Sequence, residues 1–290
     1  MRVSGVHSLV LMALLIGSAV PTFSQGKPVT ILFSATDKKG LSAGDLKAAD
    51  VRVSEGGKDQ TVSSISKLAD SPVSLVFLID GSVSSAPVPT YWQGEAVSFL
   101  MSTLRPKTDK AGILHYRGNV ARTQDMTDDI AALSVALKTN TPTGAALVYD
   151  ALTIVSDSLA KVEGRRVIVL VSDGQDQGSR MKLDAVAVKV RESGAITFPI
   201  TIKADRVIAS DNTPEFFLRR LAEESGGSMF NVTKSQEAQN AFKEIQAALG
   251  AQFSVQYQPT TNADGKFHKV KVELADKNLK VKQPTGYYAN

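Results

Sequence analysis

The sequence contains no cysteine. That removes disulfides, thiolate nucleophiles, iron–sulfur clusters and cysteine-based zinc sites from consideration. Histidine is nearly as scarce, with three in 290 residues, and no pair of them stands at a zinc-ligand spacing. Neither sign of charge dominates. The 33 Lys and Arg against 29 Asp and Glu leave a net +4, too little over this length to mark a nucleic-acid partner. A G-x-S-x-G elbow and a phosphate-cradling P-loop are also missing. Collagen-like, disordered and multi-span membrane compositions are excluded as well. What remains is an ordinary globular composition with length for one large domain, or for one domain plus a smaller partner.

One apolar run stands out, residues 9–20 (LVLMALLIGSAV) behind Arg2. It is too short to span a bilayer comfortably. Thr22-Phe23-Ser24 fits the small-x-small pattern of a signal-peptidase site, so residues 1–24 read as a signal peptide cleaved after Ser24. The competing reading is an uncleaved anchor. Export is the expectation, to the periplasm or out of the cell, with no stable membrane insertion after cleavage.

Residues 25–70 and 251–290 read as β segments. Val29, Ile31 and Phe33 alternate with polar positions. Val51 and Val53 lead into a turn at Glu55-Gly56-Gly57-Lys58, with residues 61–65 as the return strand. Phe253, Val255 and Tyr257, then Val270, Val272 and Leu274, alternate in the same way, with a last strand near residues 279–281. Neither end has enough strands for a core of its own, so the two are expected to pair. Separate appendages are the alternative.

Residues 71–250 differ. The runs VSLVFLI (73–79) and VIVLV (167–171) are continuously aliphatic or aromatic, the mark of strands buried on both faces of a parallel sheet. Helical periodicity appears over 93–104, 129–138, 144–161, 181–193, 214–225 and 235–249, with two more strands at 111–116 and 195–202. The expected fold is therefore α/β, a doubly wound, mostly parallel sheet inserted in a small β-sandwich-like domain formed by both chain ends.

Ligand sites in open parallel sheets form outside the carboxyl ends of strands. The first buried run ends in Asp80-Gly81-Ser82-Val83-Ser84, a D-x-S-x-S pattern, and the second ends in Ser172-Asp173-Gly174. Thr139-Asn140-Thr141-Pro142-Thr143 lies between them and reads as opening a helix, with its hydroxyls at the helix N-terminus. Two carboxylates and three hydroxyls at one solvent-facing edge form a hard-oxygen set suited to Mg2+ or Ca2+. Two carboxylates just neutralise such an ion, which leaves room for an anionic oxygen from outside. Asp80 and Ser82 on their own would serve equally well as turn caps.

D-G-S-V-S, T-P-T-G-A-A-L and V-L-V-S-D-G together resemble the metal ion-dependent adhesion site of the von Willebrand factor type A domain, over about residues 70–249. The flanks, V-T-I-L-F-S-A-T-D-K-K-G and Q-Y-Q-P-T-T-N-A-D-G-K-F-H-K-V-K-V-E-L, are similar to exported von Willebrand A-related proteins of acidobacteria. The resemblance implies that Ser82 and Ser84 bind a Mg2+, Ca2+ or Mn2+ ion directly. It implies that Thr141 binds directly or through water, and that Asp80 and Asp173 bind or orient the serines. Thr143 is the runner-up to Thr141, because this chain has Thr139-Asn140 where many relatives write glycines. It further implies a non-enzymatic protein-binding or adhesion module whose partner presents an Asp or Glu carboxylate. A structural or assembly role, and a metal-dependent hydrolase, are the rivals. Asp176 reads as a solvated loop residue, with a supporting role behind the metal ligands as the alternative. Tyr91 and Trp92 read as helix anchors, with a rim role as the alternative, and His115 and His268 read as strand residues.

Overall fold

The computed structural model describes residues 27–85, 90–139, 141–202, 213–261 and 263–289, the side chain of Ser84 excepted. The leader read over residues 1–24 lies outside the described residues. Among them, no helix is long and apolar enough to cross a membrane.

The first strands are β1 (Val29–Thr36), β2 (Val51–Glu55), β3 (Lys58–Gln60) and β4 (Val62–Lys67). The chain then enters the α/β domain through β5 (Val73–Asp80), α1 (Tyr91–Thr103), β6 (Lys110–Tyr116) and β7 (Val120–Thr127). It continues with α2 (Ile130–Lys138), α3 (Val148–Leu159), β8 (Arg165–Val171) and α4 (Leu183–Ser193). The domain closes with β9 (Ile196–Ile202), α5 (Pro214–Ser225), β10 (Phe230–Val232) and α6 (Ser235–Gly250). The return to the terminal domain is made by β11 (Gln252–Tyr257), β12 (Phe267–Leu274), β13 (Lys280–Lys282) and β14 (Gly286–Tyr288).

The central sheet runs β10-β9-β8-β5-β6-β7. All neighbours are parallel except β6 and β7. Every residue of β5 is buried, because helices cover both faces. Leu75, Phe77 and Ile79 pack with α1, α2 and α6, and Val76 and Leu78 pack with α3, α4 and α5. Each fully buried side chain of this size stabilises by about 1.5–3 kcal/mol. The wound α/β fold is as expected. β7 is an addition that the residues did not suggest. Its side chains are half-exposed or exposed, with Val120 and Met126 set apart among small or polar residues, so it carries no apolar run to betray it.

The chain ends form two antiparallel four-stranded sheets, β13-β1-β11-β4 and β14-β12-β2-β3. They share one core that includes Phe33, Val53, Phe253, Val255, Tyr257, Val272 and Leu274. Three of the four strands of the first half pair with the second: β1 and β4 flank β11, and β2 pairs with β12, while β3 pairs with β2. The expected sandwich from both ends is present. One detail differs. The return strand after Glu55 is β3, which ends at Gln60, and residues 62–67 cross to the other sheet as β4 beside β11. Apolar alternation fixes which face a strand buries, not which neighbour it takes.

The two crossings between the domains are bound together by Arg165, whose side chain is buried at the start of β8. It donates to the carbonyls of Ser71 (2.9 Å) and Leu249 (2.7 Å), one on each crossing.

Candidate metal centre

Asp80 ends β5 and Asp173 follows β8, its immediate neighbour in the sheet, so both carboxylates emerge at the same edge. Asp80 is 7% exposed and Ser82 fully buried. Ser82 donates to Asp80 Oδ1 twice, from its hydroxyl at 2.6 Å and from its amide at 2.9 Å. The serine proton is thereby committed to the aspartate, and what Ser82 Oγ has left for an ion is lone pairs. Ser85 fixes the loop from below, its hydroxyl donating to the carbonyls of Asp80 and Ser82 at 3.1 and 2.8 Å. The side chain of Ser84 and residue Asn140 lie outside the described residues.

The second loop is brought in by its backbone. Thr143 donates its amide to the Gly81 carbonyl at 2.9 Å, and Val83 donates to the Gly144 carbonyl at 3.1 Å. Arg117 Nη1 donates to the Thr141 carbonyl at 2.9 Å. Thr141 and Thr143 are both exposed. The expected helix over 144–161 begins only at Val148, so these threonines sit in an extended loop rather than at a helix N-terminus. Gly144 explains the delay. Its φ of +65 is left-handed, and a Cβ there would lie 2.9 Å from the Gly118 amide nitrogen, so the chain presses flat against the β6–β7 turn before it can wind.

The third loop hangs on a polar chain. Tyr116, paired in register with Asp80, donates its hydroxyl to Ser172 Oγ at 2.6 Å, and Ser172 Oγ accepts the Gly174 amide at 2.9 Å. Asp173 Oδ1 accepts the Gln175 amide at 2.9 Å. Tyr116, Ser172 and Ser85 were not singled out in the sequence. The signal for Tyr116 was available, since it ends a buried strand at the edge that carries both aspartates.

Electrostatics favours a cation here. Burial raises Asp80 above the ordinary carboxylate range, the Ser82 bonds pull it back only in part, and the charge of Asp173 raises it further. Burial, and then the charge of Asp80, push the Tyr116 phenol well above its usual range. Among the described residues no Lys, Arg or His forms an ion pair with Asp80. A buried anion beside a second anion is costly unless positive charge joins them. No three His, Asp or Glu side chains gather as a metal cluster among the described residues. An ion at this edge would therefore rest on two carboxylates and on hydroxyls, a donor set that fits a hard divalent cation.

The solvent-facing placement expected of the site holds for the threonines and fails for Asp80 and Ser82. Both are drawn inward because the loop hydrogen-bonds to itself around the aspartate. Tyr91 and Trp92 act as anchors. Trp92 is in the core, and the Tyr91 hydroxyl reaches the Val232 carbonyl.

A family model, the von Willebrand factor type A domain, matches residues 74–244. No curated protein sequence matches the chain. Among solved structures, proximal thread matrix protein 1 from the mussel byssus, with a zinc-occupied MIDAS motif, is 12% identical with a TM-score of 0.51. That alignment covers 67% of this chain and 49% of the mussel chain. An aerotolerance-related membrane protein from Bacteroides fragilis is 18% identical with a TM-score of 0.48, over 61% of this chain and 98% of its own. The vWF domain of the type V pili tip protein Mfa5 from Porphyromonas gingivalis is 12% identical with a TM-score of 0.45, over 61% and 94%. Identities this low speak to the fold alone.

Proposed function

The chain belongs to the von Willebrand factor type A domain family, and from that premise we propose that it is an exported, non-enzymatic module that binds a protein partner through a divalent ion. Asp80, Ser82, Ser84, Thr141 and Asp173 are the residues assigned to hold Mg2+, or Ca2+ or Mn2+ in its place. When bound, such an ion supplies concentrated positive charge with a coordination position open to an anionic oxygen. An Asp or Glu side chain of the partner fits that position. Ser82 is held by Asp80, the second loop is held against Gly81 and Val83, and Tyr116 and Ser172 carry the third loop. These contacts pre-set the donors, so little ordering is left for the moment of binding.

The observation that carries this reading is the pair of carboxylates at one sheet edge, one of them buried with no cationic side chain joined to it among the described residues. The mussel protein, alike in fold, holds zinc, a divalent ion, in its MIDAS motif. Export rests on the leader sequence. The expected result is capture of a partner from envelope and secreted fractions that EDTA abolishes and that Asp80→Asn loses, with the melting temperature of the variant retained. Capture that survives both treatments contradicts the reading.

The burial of Asp80 and Ser82 favours one alternative, in which an ion only stiffens the loops. In that case EDTA lowers the melting temperature and leaves capture intact.

A further inference from the structure

We infer that Asp176 and Ser179 are positioning residues. With Asp150 they form a reciprocal clasp that sets the spacing between the threonine loop and the Asp173 loop. This inference rests on the metal reading above for its consequence, and on geometry alone for its existence.

Helix α3 begins with no cap of its own: Leu147 is at the N-cap and offers no side-chain hydrogen bond. The first amides of a helix lack intrahelical partners and need acceptors. Here they come from 27 and 29 residues further along the chain. The Tyr149 amide points to Asp176 Oδ1 at 3.4 Å, and the Asp150 amide donates to Ser179 Oγ at 3.1 Å. Ser179 in turn donates its hydroxyl to Asp176 Oδ1 at 2.5 Å, and Asp176 Oδ2 accepts the amides of Gly178 and Ser179. The exchange also runs the other way. Asp150, in the first turn of α3, accepts the amides of Arg180 at 3.1 Å and Met181 at 3.0 Å. Gln177 closes the set by donating its amide to the Ala146 carbonyl at 2.7 Å.

Each loop thus satisfies the other's backbone. Thr141 and Thr143 lie just before residue 146, and Asp173 lies just before residue 176. The distance across the clasp therefore governs the distance between those donors. A carboxylate three residues beyond Asp173 is not spare charge at the rim, because its oxygens are occupied by backbone and hydroxyl donors.

Two measurements on the full chain test the clasp. The first is amide exchange without metal. In Asp176→Ala, peptides over 141–150 and over 172–182 should exchange faster together, while 73–79 keeps its protection. Faster exchange confined to 176–181 would overturn the inference. The second is calorimetric titration with Mg2+ and Mn2+. Asp176→Ala and Ser179→Ala should bind about 10- to 100-fold more weakly, the usual effect of losing a ligand's support. Asp176→Asn keeps one of the two oxygen acceptors and turns a donor toward the partners of the other, so it should recover only part of that loss. Wild-type affinity in Asp176→Ala would overturn the inference. A wild-type chain that takes up no ion would defeat the metal reading, and the exchange result would still decide the clasp.

Discussion

Glu55 in the terminal sandwich and Asp80 at the edge of the central sheet are both buried carboxylates, and they are treated in opposite ways. Burial works to raise Glu55, but Thr261, Tyr257, His268 and Tyr287 all hydrogen-bond to it, and it ends below the ordinary range. Tyr257 and Tyr287 reach one of its oxygens at 2.7 and 3.2 Å. His268 Nδ1 reaches the other at 2.7 Å, beside the Thr261 hydroxyl. Asp80 has mainly the two Ser82 bonds, feels the charge of Asp173, and ends above its ordinary range. The first is a finished network that binds four segments of the chain. The second is a carboxylate with no cationic side chain paired to it among the described residues, and on the proposed reading a bound ion supplies that charge. Both carboxylates are sealed from solvent; they differ in how many hydrogen-bond donors reach them.

The largest expected effect lies at the finished site. Glu55→Ala leaves two tyrosines, a histidine and a threonine without their acceptor, and should cost about 3–5 kcal/mol of unfolding free energy. A loss under about 1 kcal/mol in urea melts would show that the network is dispensable. At the unfinished site the sign reverses. Divalent metal at about one hundred times its dissociation constant should add about 2.7 kcal/mol to the wild type and nothing to Asp80→Asn. Without metal that variant should stay within about 1 kcal/mol of wild type, or exceed it, because a repelled buried charge is gone while an oxygen remains for Ser82. A third comparison separates the two threonines. Thr141→Ala should weaken Mg2+ binding by about tenfold or more, roughly 1.4 kcal/mol, and Thr143→Ala by much less; titration of both variants decides the assignment.

The smallest effect is a pH dependence. His268 presents its two ring nitrogens to Glu55 and Asp264, at 2.7 and 3.0 Å. Burial lowers it, but those bonds prevail and its folded value is raised. A raised histidine contributes stability that is complete below its unfolded value, near 6.5, and is lost as pH climbs through the folded one. Glu55, being lowered, contributes above its unfolded value and loses that contribution as acid is added. The sandwich should therefore weaken on either side of mildly acidic pH. His268→Gln should flatten the alkaline limb. An unchanged limb in that variant would remove His268 from the account. His115 is no substitute, since burial takes it down to about 4.

Legibility in the sequence follows the same division. β5 and β8 could be read because strands buried on both faces must be apolar throughout, and Asp80 and Asp173 because polar residues that end such strands stand out. The sandwich could be inferred because neither chain end has strands enough alone. The crossing of residues 62–67 to the opposite sheet was not legible, since alternation specifies a face and not a partner. The late start of α3 was hidden in a close approach between Gly144 and Gly118, residues 26 apart. Glu55 read as a residue entering a turn, and its four partners lie more than 200 positions away. Asp176 read as solvated because the helix amides it serves belong to another loop. Contacts made across long stretches of chain leave no local pattern.

If Asp80 and its neighbours share one divalent ion, calorimetric titration of Mg2+ and Mn2+ into the wild-type chain and into Asp80→Asn will show it. A single saturable site in the wild type, absent in the variant, is the predicted result. Equal binding in both proteins, or none in the wild type, would contradict it.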